Sequence, residues 1–428
     1  MTHVWSAELI GSDSYPQAPL LRREFEWETG HGDLVAATWR VSAQGLVEAS
    51  INGSAVSADV LTPGWSSYEW RIRYREYDVL ERLLSIRGPV VLGLALGNGW
   101  FRGRLGWSGA DSFYGSQLGA IAELDLEFAD GHRQTVGTDA SWTSGPSAVL
   151  ADDLYDGQHI DARLMTSGWQ QPGFADERWD SAQVRPFDTD LLTPYVGPPV
   201  VRHEEIAPVR VWTSPSGKTL VDFGQNLVGW IRFTVSGEEG SAITLRHAEV
   251  LENDELGTRP LRSAKATDSI VLSGGVDLFE PTFTFHGFRY AEVEGWPGEL
   301  TAGDLVAVVV SSDLTRIGTF ECSDPMLNQL HQNVVWGQRG NFVDVPTDCP
   351  QRDERLGWTG DLAVFSPTAS YLFDVSTFLR DWLCDVNAEQ RAADGLIPYV
   401  VPDVLKKMPP HKDFGAQDST SFWSDAAV

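Results

Sequence analysis

From about Leu21 to Val310 no helical period is sustained: apolar and polar residues alternate in short runs, each cut by Gly, Pro, Asn or Asp. Such a pattern has one stable outlet, antiparallel strands with one face buried. The runs Ala36–Val41, Leu46-Glu48-Ser50 and Ile121-Glu123-Asp125-Glu127 are examples. Asn52-Gly53, after the second, marks a hairpin, because a type I′ turn needs positive φ at both central residues. The segment Pro194-Tyr195-Val196-Gly197-Pro198-Pro199 interrupts pairing and sets a domain boundary near residue 200. The block beyond it, with strand-like runs at 219–226, 229–233, 243–245 and 283–285, is of β-sandwich size.

After Leu314 the texture changes. Ser323-Asp324-Pro325 offers a cap residue followed by Pro at a first helical position, and Met326, Leu327, Leu330, Val334 and Val335 follow at helical spacing. Phe365, Tyr371, Leu372, Phe378, Leu379 and Trp382 continue it. The chain of 428 residues therefore divides into three domains, 1–200, 201–313 and 314–428.

A formal charge of −28 would repel a phosphate backbone, so nucleic acid is a poor partner. The three cysteines, Cys322, Cys349 and Cys384, form no CxxC pair and suggest neither a disulfide framework nor a zinc site. No basic stretch leads into an apolar segment at the N-terminus and no long apolar run occurs, which predicts a cytoplasmic chain without membrane contact. Neither a phosphate-binding Gly loop nor a metal-ligand cluster stands out, so no cofactor and no metal are implied. The pattern sets no oligomeric state. Seventeen Trp, ten Tyr and nineteen Phe, many beside Gly, Asn and Asp, suit carbohydrate, whose C–H faces stack on rings while its hydroxyls need amides and carboxylates. The same rings also serve as β-sandwich core.

The densest polar cluster runs from Asp344 to Asp361, eighteen residues with five carboxylates, two Arg, two Pro, two Gly and a Trp. Pro346 and Pro350 forbid regular helix through its first half, so it is a shaped loop feeding a helix that begins near Asp361. Glycoside hydrolysis needs a carboxylic acid for the leaving oxygen, a second carboxylate, and polar groups that grip sugar hydroxyls. The loop could supply the acid and the grip; equally, it could be an ion-pair network that caps the helix.

The string Asp348-Cys-Pro-Gln-Arg-Asp-Glu-Arg-Leu-Gly-Trp-Thr-Gly-Asp361 resembles the signature loop of bacterial α-L-rhamnosidases of glycoside hydrolase family 78. Supporting matches run along the chain. Asn52-Gly53 with Leu61–Tyr68, and Leu96–Phe101, resemble that family's N-terminal β-domain, and Asp222–Asn226, Arg246–Val250 and Phe283–Tyr290 its second, concanavalin-like sandwich. The resemblance implies antiparallel β-sandwich domains followed by an incomplete (α/α)6 six-hairpin barrel. It implies an inverting hydrolase that removes terminal non-reducing α-L-rhamnose from a rhamnose-containing glycoside or oligosaccharide. By motif position Glu354 matches the general acid, and Asp348, Arg352 and Asp361 match residues that bind the rhamnose hydroxyls. A one-residue slip would exchange the roles of Asp353 and Glu354. The family places its general base in the second half of the barrel, so the resemblance implies a C-terminally truncated chain whose base lies beyond Val428 and whose catalysis is impaired. If a base is present, Asp403, Asp413, Asp418 and Asp425 are the first candidates. The alternative is a non-catalytic carbohydrate-binding β-sandwich protein or fragment.

Trp358 and Trp423 are candidate platforms for the sugar ring, with simple packing as the other reading. His247 and His286 suit core or hydrogen-bonding roles, and Arg102, Trp107 and Asp111 suit interdomain packing. Stopping an (α/α)6 ring part-way should expose Phe365, Tyr371, Leu372, Phe378 and Trp382 on at least one side.

Overall fold

Alternation of buried and exposed residues along the strands up to residue 200 produces two facing sheets. The computed structural model describes residues 3–407. One sheet has seven strands, centred on Leu34–Gln44, Ile72–Asp78 and Gly119–Phe128, and the other six, centred on Leu20–Phe25, Leu46–Ile51 and Val90–Gly97. Trp39, Val41, Leu124 and Leu126 from the first meet Leu21, Val47, Leu92 and Leu94 from the second in a closed apolar core. The hairpin turn lies where expected: Ile51 pairs with Ser54, and Asn52 and Gly53 take φ of 46° and 80°.

Beyond residue 200 most strands hydrogen-bond into one sheet of eleven, with two small two-stranded pairs, Leu251–Glu252 with Glu255–Leu256 and Phe342–Val343 with Val345–Pro346, outside it. The runs at 219–226 and 229–233 are one strand, Thr219–Ser236. Its register against His286–Glu294 shifts between Asp222 and Leu227, a bulge within the strand that the two separate runs do not reveal. Three strands from before residue 200, Asp59–Val60, Val149–Asp153 and Gly157–Asp161, join this sheet and interweave the two β-regions.

Three long helices follow, α1 (Pro325–Asn341), α2 (Thr359–Leu372) and α3 (Ser376–Ala392). Asp324 caps α1 by accepting from the Met326 amide at 2.8 Å, ahead of Pro325 at the first helical position. Among the described residues no helix is long and apolar enough to cross a membrane. The largest core lies where helices and sheets meet, with Trp65, Trp100, Phe285, Phe342, Phe378 and Trp382 among its members. The expected exposure of the helical apolar residues is therefore corrected. Leu372, Phe378 and Trp382 are buried, and Phe365 is half-buried. Phe378 stacks on Phe342 at 4.7 Å, and Trp382 donates to the Val401 carbonyl at 3.0 Å. Tyr371 is 79% exposed, as expected.

Helix α3 buries a second stripe, Asp381, Asp385 and Glu389, spaced four residues apart and so on one face. Asp381 and Asp385 meet Arg71 and Arg73, from the turn before strand Ile72–Asp78 and from that strand, and Glu389 pairs with Lys406 at 3.1 Å. Arg73 bonds Asp344 and, at 2.6 Å, Asp381; Arg71 bonds Asp381 at 2.8 Å and lies 3.5 Å from Asp385. Two guanidiniums thus face three carboxylates. Burial pushes Asp385 up to about 7, against the pull of Arg71, Arg73 and the Ser67 amide. A carboxyl whose folded pKa exceeds its unfolded value of about 3.9 stabilises the fold most when protonated. Its contribution is complete below about pH 4 and is lost as pH rises toward 7. Replacing Asp385 by Asn should flatten the stability curve over that interval, checked by urea unfolding at stepped pH; an unchanged slope would contradict a proton held there.

Candidate active site

The loop after Asp344 is shaped before it carries chemistry. The Leu356 amide donates to Asp348 Oδ1 at 3.0 Å and the Asp348 amide to the Leu356 carbonyl at 3.2 Å, which pinches the intervening residues into a closed turn. Arg355, at φ 46°, sends a buried guanidinium to the carbonyls of Leu154 (2.6 Å) and Phe285 (2.8 Å). It also lies about 5 Å from the ring centres of Tyr155 and Phe285. Such a guanidinium fastens the loop to the sheets and is closed to a ligand. The Tyr155 hydroxyl donates to the Glu354 carbonyl at 2.6 Å, fixing that backbone from the β-side as well.

This frame brings Asp348, Arg352 and Glu354 together. Arg352 Nε donates to Glu354 Oε2 at 3.1 Å and its terminal nitrogen lies 3.4 Å from Asp348 Oδ2. A second guanidinium, Arg262, reaches Glu354 Oε2 at 3.0 Å from a loop of the eleven-stranded sheet. Burial pushes Asp348 up to about 6; the Cys349 thiol, the Leu356 amide and Arg352 oppose the rise, while the Glu354 charge adds to it. Asp353 is turned the other way: it is buried and accepts from Ser263 Oγ at 2.5 Å. Glu249 lies close by, held by Asn226 at 2.9 Å; burial raises its pKa and Arg352 and Arg355 draw it down.

Asp361, exposed in the first turn of α2, shares with Asp348 a cavity of about 610 Å³ whose walls include Gln338, Asn341, Phe342 and Phe365. Arg352 and Glu354 lie beside it rather than in its lining. Trp358 does not line it either; its ring lies parallel to Trp107 at 6.3 Å, joining the loop to the first β-region. Arg102 is spent on the Asn98 side chain and the Pro16 and Gln17 carbonyls. Trp423, Asp413, Asp418 and Asp425 lie outside the described residues. Asp403 is tied to the amides of Leu405 and Lys406, beside the Glu389–Lys406 pair.

Of the four groupings with metal-ligand chemistry among the described residues, two bear on residues named above, and both have poor metal geometry. Asp348, Cys349 and Glu354 converge, but the Arg352 guanidinium already holds a positive charge between the two carboxylates. His247, Asp268 and His286 are fully buried, with the imidazoles stacked at 4.4 Å and 19°. Near-parallel rings direct their in-plane lone pairs along separate planes, so both cannot ligate one ion well. Burial holds His247 near 4, neutral, and Asp268 bonds His286 at 3.1 Å. Sequence reasoning found the two histidines and missed Asp268. It also missed Arg262, Ser263 and Tyr155, which are distant in the chain and carry no local pattern.

Two β-regions and the helices after them thus brace one carboxylate- and arginine-bearing loop. Residues 32–204 match the α-L-rhamnosidase N-terminal domain, 212–311 the bacterial α-L-rhamnosidase concanavalin-like domain, and 315–428 the bacterial α-L-rhamnosidase six-hairpin glycosidase domain. The chain belongs to the bacterial α-L-rhamnosidase family. It is 42% identical over 391 residues to an α-L-rhamnosidase of Streptomyces avermitilis, covering 90% of this chain and 37% of that protein. The crystal structure of an Aspergillus terreus α-L-rhamnosidase superposes with a TM-score of 0.92 at 43% identity, covering 98% of this chain and 48% of the other. The Streptomyces avermitilis α-L-rhamnosidase complexed with L-rhamnose gives 0.86 at 39% identity, covering 93% and 38%. The chain thus spans less than half the length of these relatives.

Proposed function

We propose that this chain supplies the acid side of an inverting hydrolysis of terminal non-reducing α-L-rhamnosides. In this reading residues 1–200 and 201–313 are the β-domains and 314–428 open an (α/α)6 barrel. Glu354 donates its proton to the glycosidic oxygen. Asp348, Arg352 and Asp361 hold the sugar hydroxyls, Arg352 serving both Asp348 and Glu354. The water-activating carboxylate stands roughly 6.5–9.5 Å from the acid in an inverting site, and this reading draws it from a residue beyond those described. The observation that carries the proposal is the convergence of Asp348, Arg352 and Glu354 on a loop pinned from three sides, beside the cavity that Asp348 shares with Asp361. Glu354 rather than Asp353 is favoured as the acid because Asp353 is sealed against Ser263. A rhamnose-containing glycoside is the substrate, consistent with the L-rhamnose held by the Streptomyces avermitilis relative.

Isothermal titration with L-rhamnose tests the grip. Asp348→Ala, Arg352→Ala and Asp361→Ala should each weaken binding, by about 1–3 kcal/mol where a charged hydrogen bond is lost. Unchanged affinity in all three would reduce the loop to a structural ion-pair network. Rhamnose binding without turnover, in a form extended through the whole barrel, would favour a carbohydrate-binding protein instead.

A further inference from the structure

A second cavity, of about 480 Å³, opens between the two β-regions and shares no lining residue with the one beside Asp348. Strand Leu46–Ile51 explains its shape. Val47 and Ile51 face the sandwich core, so Leu46, Glu48 and Ser50 face outward, toward the eleven-stranded sheet. Glu48 pairs with Ala95 and Ser50 with Gly93 on the neighbouring strand, and these small residues leave the floor recessed.

Across that floor stand polar groups in fixed positions. Arg202 gives its Nε to Glu280 at 2.7 Å; Glu280 also accepts from the Trp230 indole at 3.0 Å, and the guanidinium lies 5.5 Å from that ring. The same guanidinium is near enough to Glu48 for its charge to act on that carboxyl. The exposed Glu48 carboxylate stands on the same floor, with the Thr282 side chain and the Arg202 guanidinium near it. At the rim Trp169 stacks on Trp179 at 6.0 Å, and Gln170 donates to Ser50 Oγ at 2.6 Å.

This set selects a ligand by its chemistry. Three lining carboxylates, Glu48, Asp59 and Glu280, against the Arg202 guanidinium disfavour an anion. The Trp169 indole at the rim, with acceptors and a fork-shaped donor among the other lining groups, matches a ring with an apolar C–H face and several hydroxyls, and the volume lies within the range of small-molecule sites. We propose that this cavity is a second glycan site, taking a neutral saccharide unit independently of the candidate active site.

The test is titration of the chain carrying Asp348→Ala and Asp361→Ala with neutral mono- and disaccharides, including L-rhamnose, and with spermidine and sulfate as charged controls. At least one neutral saccharide should bind at millimolar concentrations or below. Adding Trp169→Ala or Glu48→Gln should weaken it by about tenfold or more, the loss expected for a stacking platform or a charged hydrogen bond, with the melting temperature unchanged. Should Glu48→Gln fail to fold, the rim variant Trp169→Ala decides. The proposal is overturned if no neutral saccharide binds, if only spermidine or sulfate binds, or if saccharide affinity is the same with Trp169 removed.

Discussion

Glu354→Gln should cost about 10²–10⁴ in the hydrolysis of alkyl rhamnosides, in any form of the protein that turns them over, while L-rhamnose still binds. The amide keeps the shape and the Arg262 and Arg352 contacts but has no proton to give. The deficit should shrink for aryl rhamnosides whose leaving groups are already weakly basic, since these depart with little protonation. Rates on alkyl and nitrophenyl substrates, compared between Glu354→Gln and the parent, make the check. Equal losses on both would remove Glu354 from the acid role, and a loss confined to Asp353→Asn would transfer that role to its neighbour.

The largest stability effect should come from Arg73, 2% exposed and paired with Asp344 and Asp381. Arg73→Met leaves two buried carboxylates short of their counter-charge, a change that typically costs about 3–5 kcal/mol. Urea unfolding should show it as a lower midpoint. Replacing Arg73, Asp344 and Asp381 together by apolar residues of similar volume should recover most of the loss, because a buried ion pair and a hydrophobic patch are often close in stability. A loss below about 1 kcal/mol for Arg73→Met would mean that water reaches the cluster.

How far these features can be read in the sequence depends on the range of the forces that make them. The strands, the Asn52-Gly53 turn and the Asp324-Pro325 start of α1 depend on neighbours a few residues away and are legible. The loop is legible as a density of charge, and its fixed prolines mark it as irregular. The register break in Thr219–Ser236 was not, because a bulge and a turn share the same small and polar residues. Nor was the role of Asp381, Asp385 and Glu389: carboxylates four residues apart suit a wetted helix face, and it is Arg71 and Arg73, about three hundred positions earlier, that turn Asp381 and Asp385 inward, while Lys406 meets Glu389. Trp358 carries both a platform and a packing reading in sequence, and its parallel neighbour Trp107, about 250 positions earlier, is a pairing that no local pattern encodes.

The acid stripe of α3 also bears on the order in which the protein takes shape. During synthesis Arg71 and Arg73 leave the ribosome long before Asp344, Asp381 and Asp385, and N-terminal domains generally fold first. Until the helices arrive, the nascent β-region carries a pair of cations without their partners, a local positive spot on a chain whose overall charge is −28. Opposite potentials draw surfaces together faster than diffusion alone and are screened by salt. Docking of the helices should therefore be an ionic-strength-dependent step, and the same arginines that lock the finished interface would act beforehand as the bait that selects it.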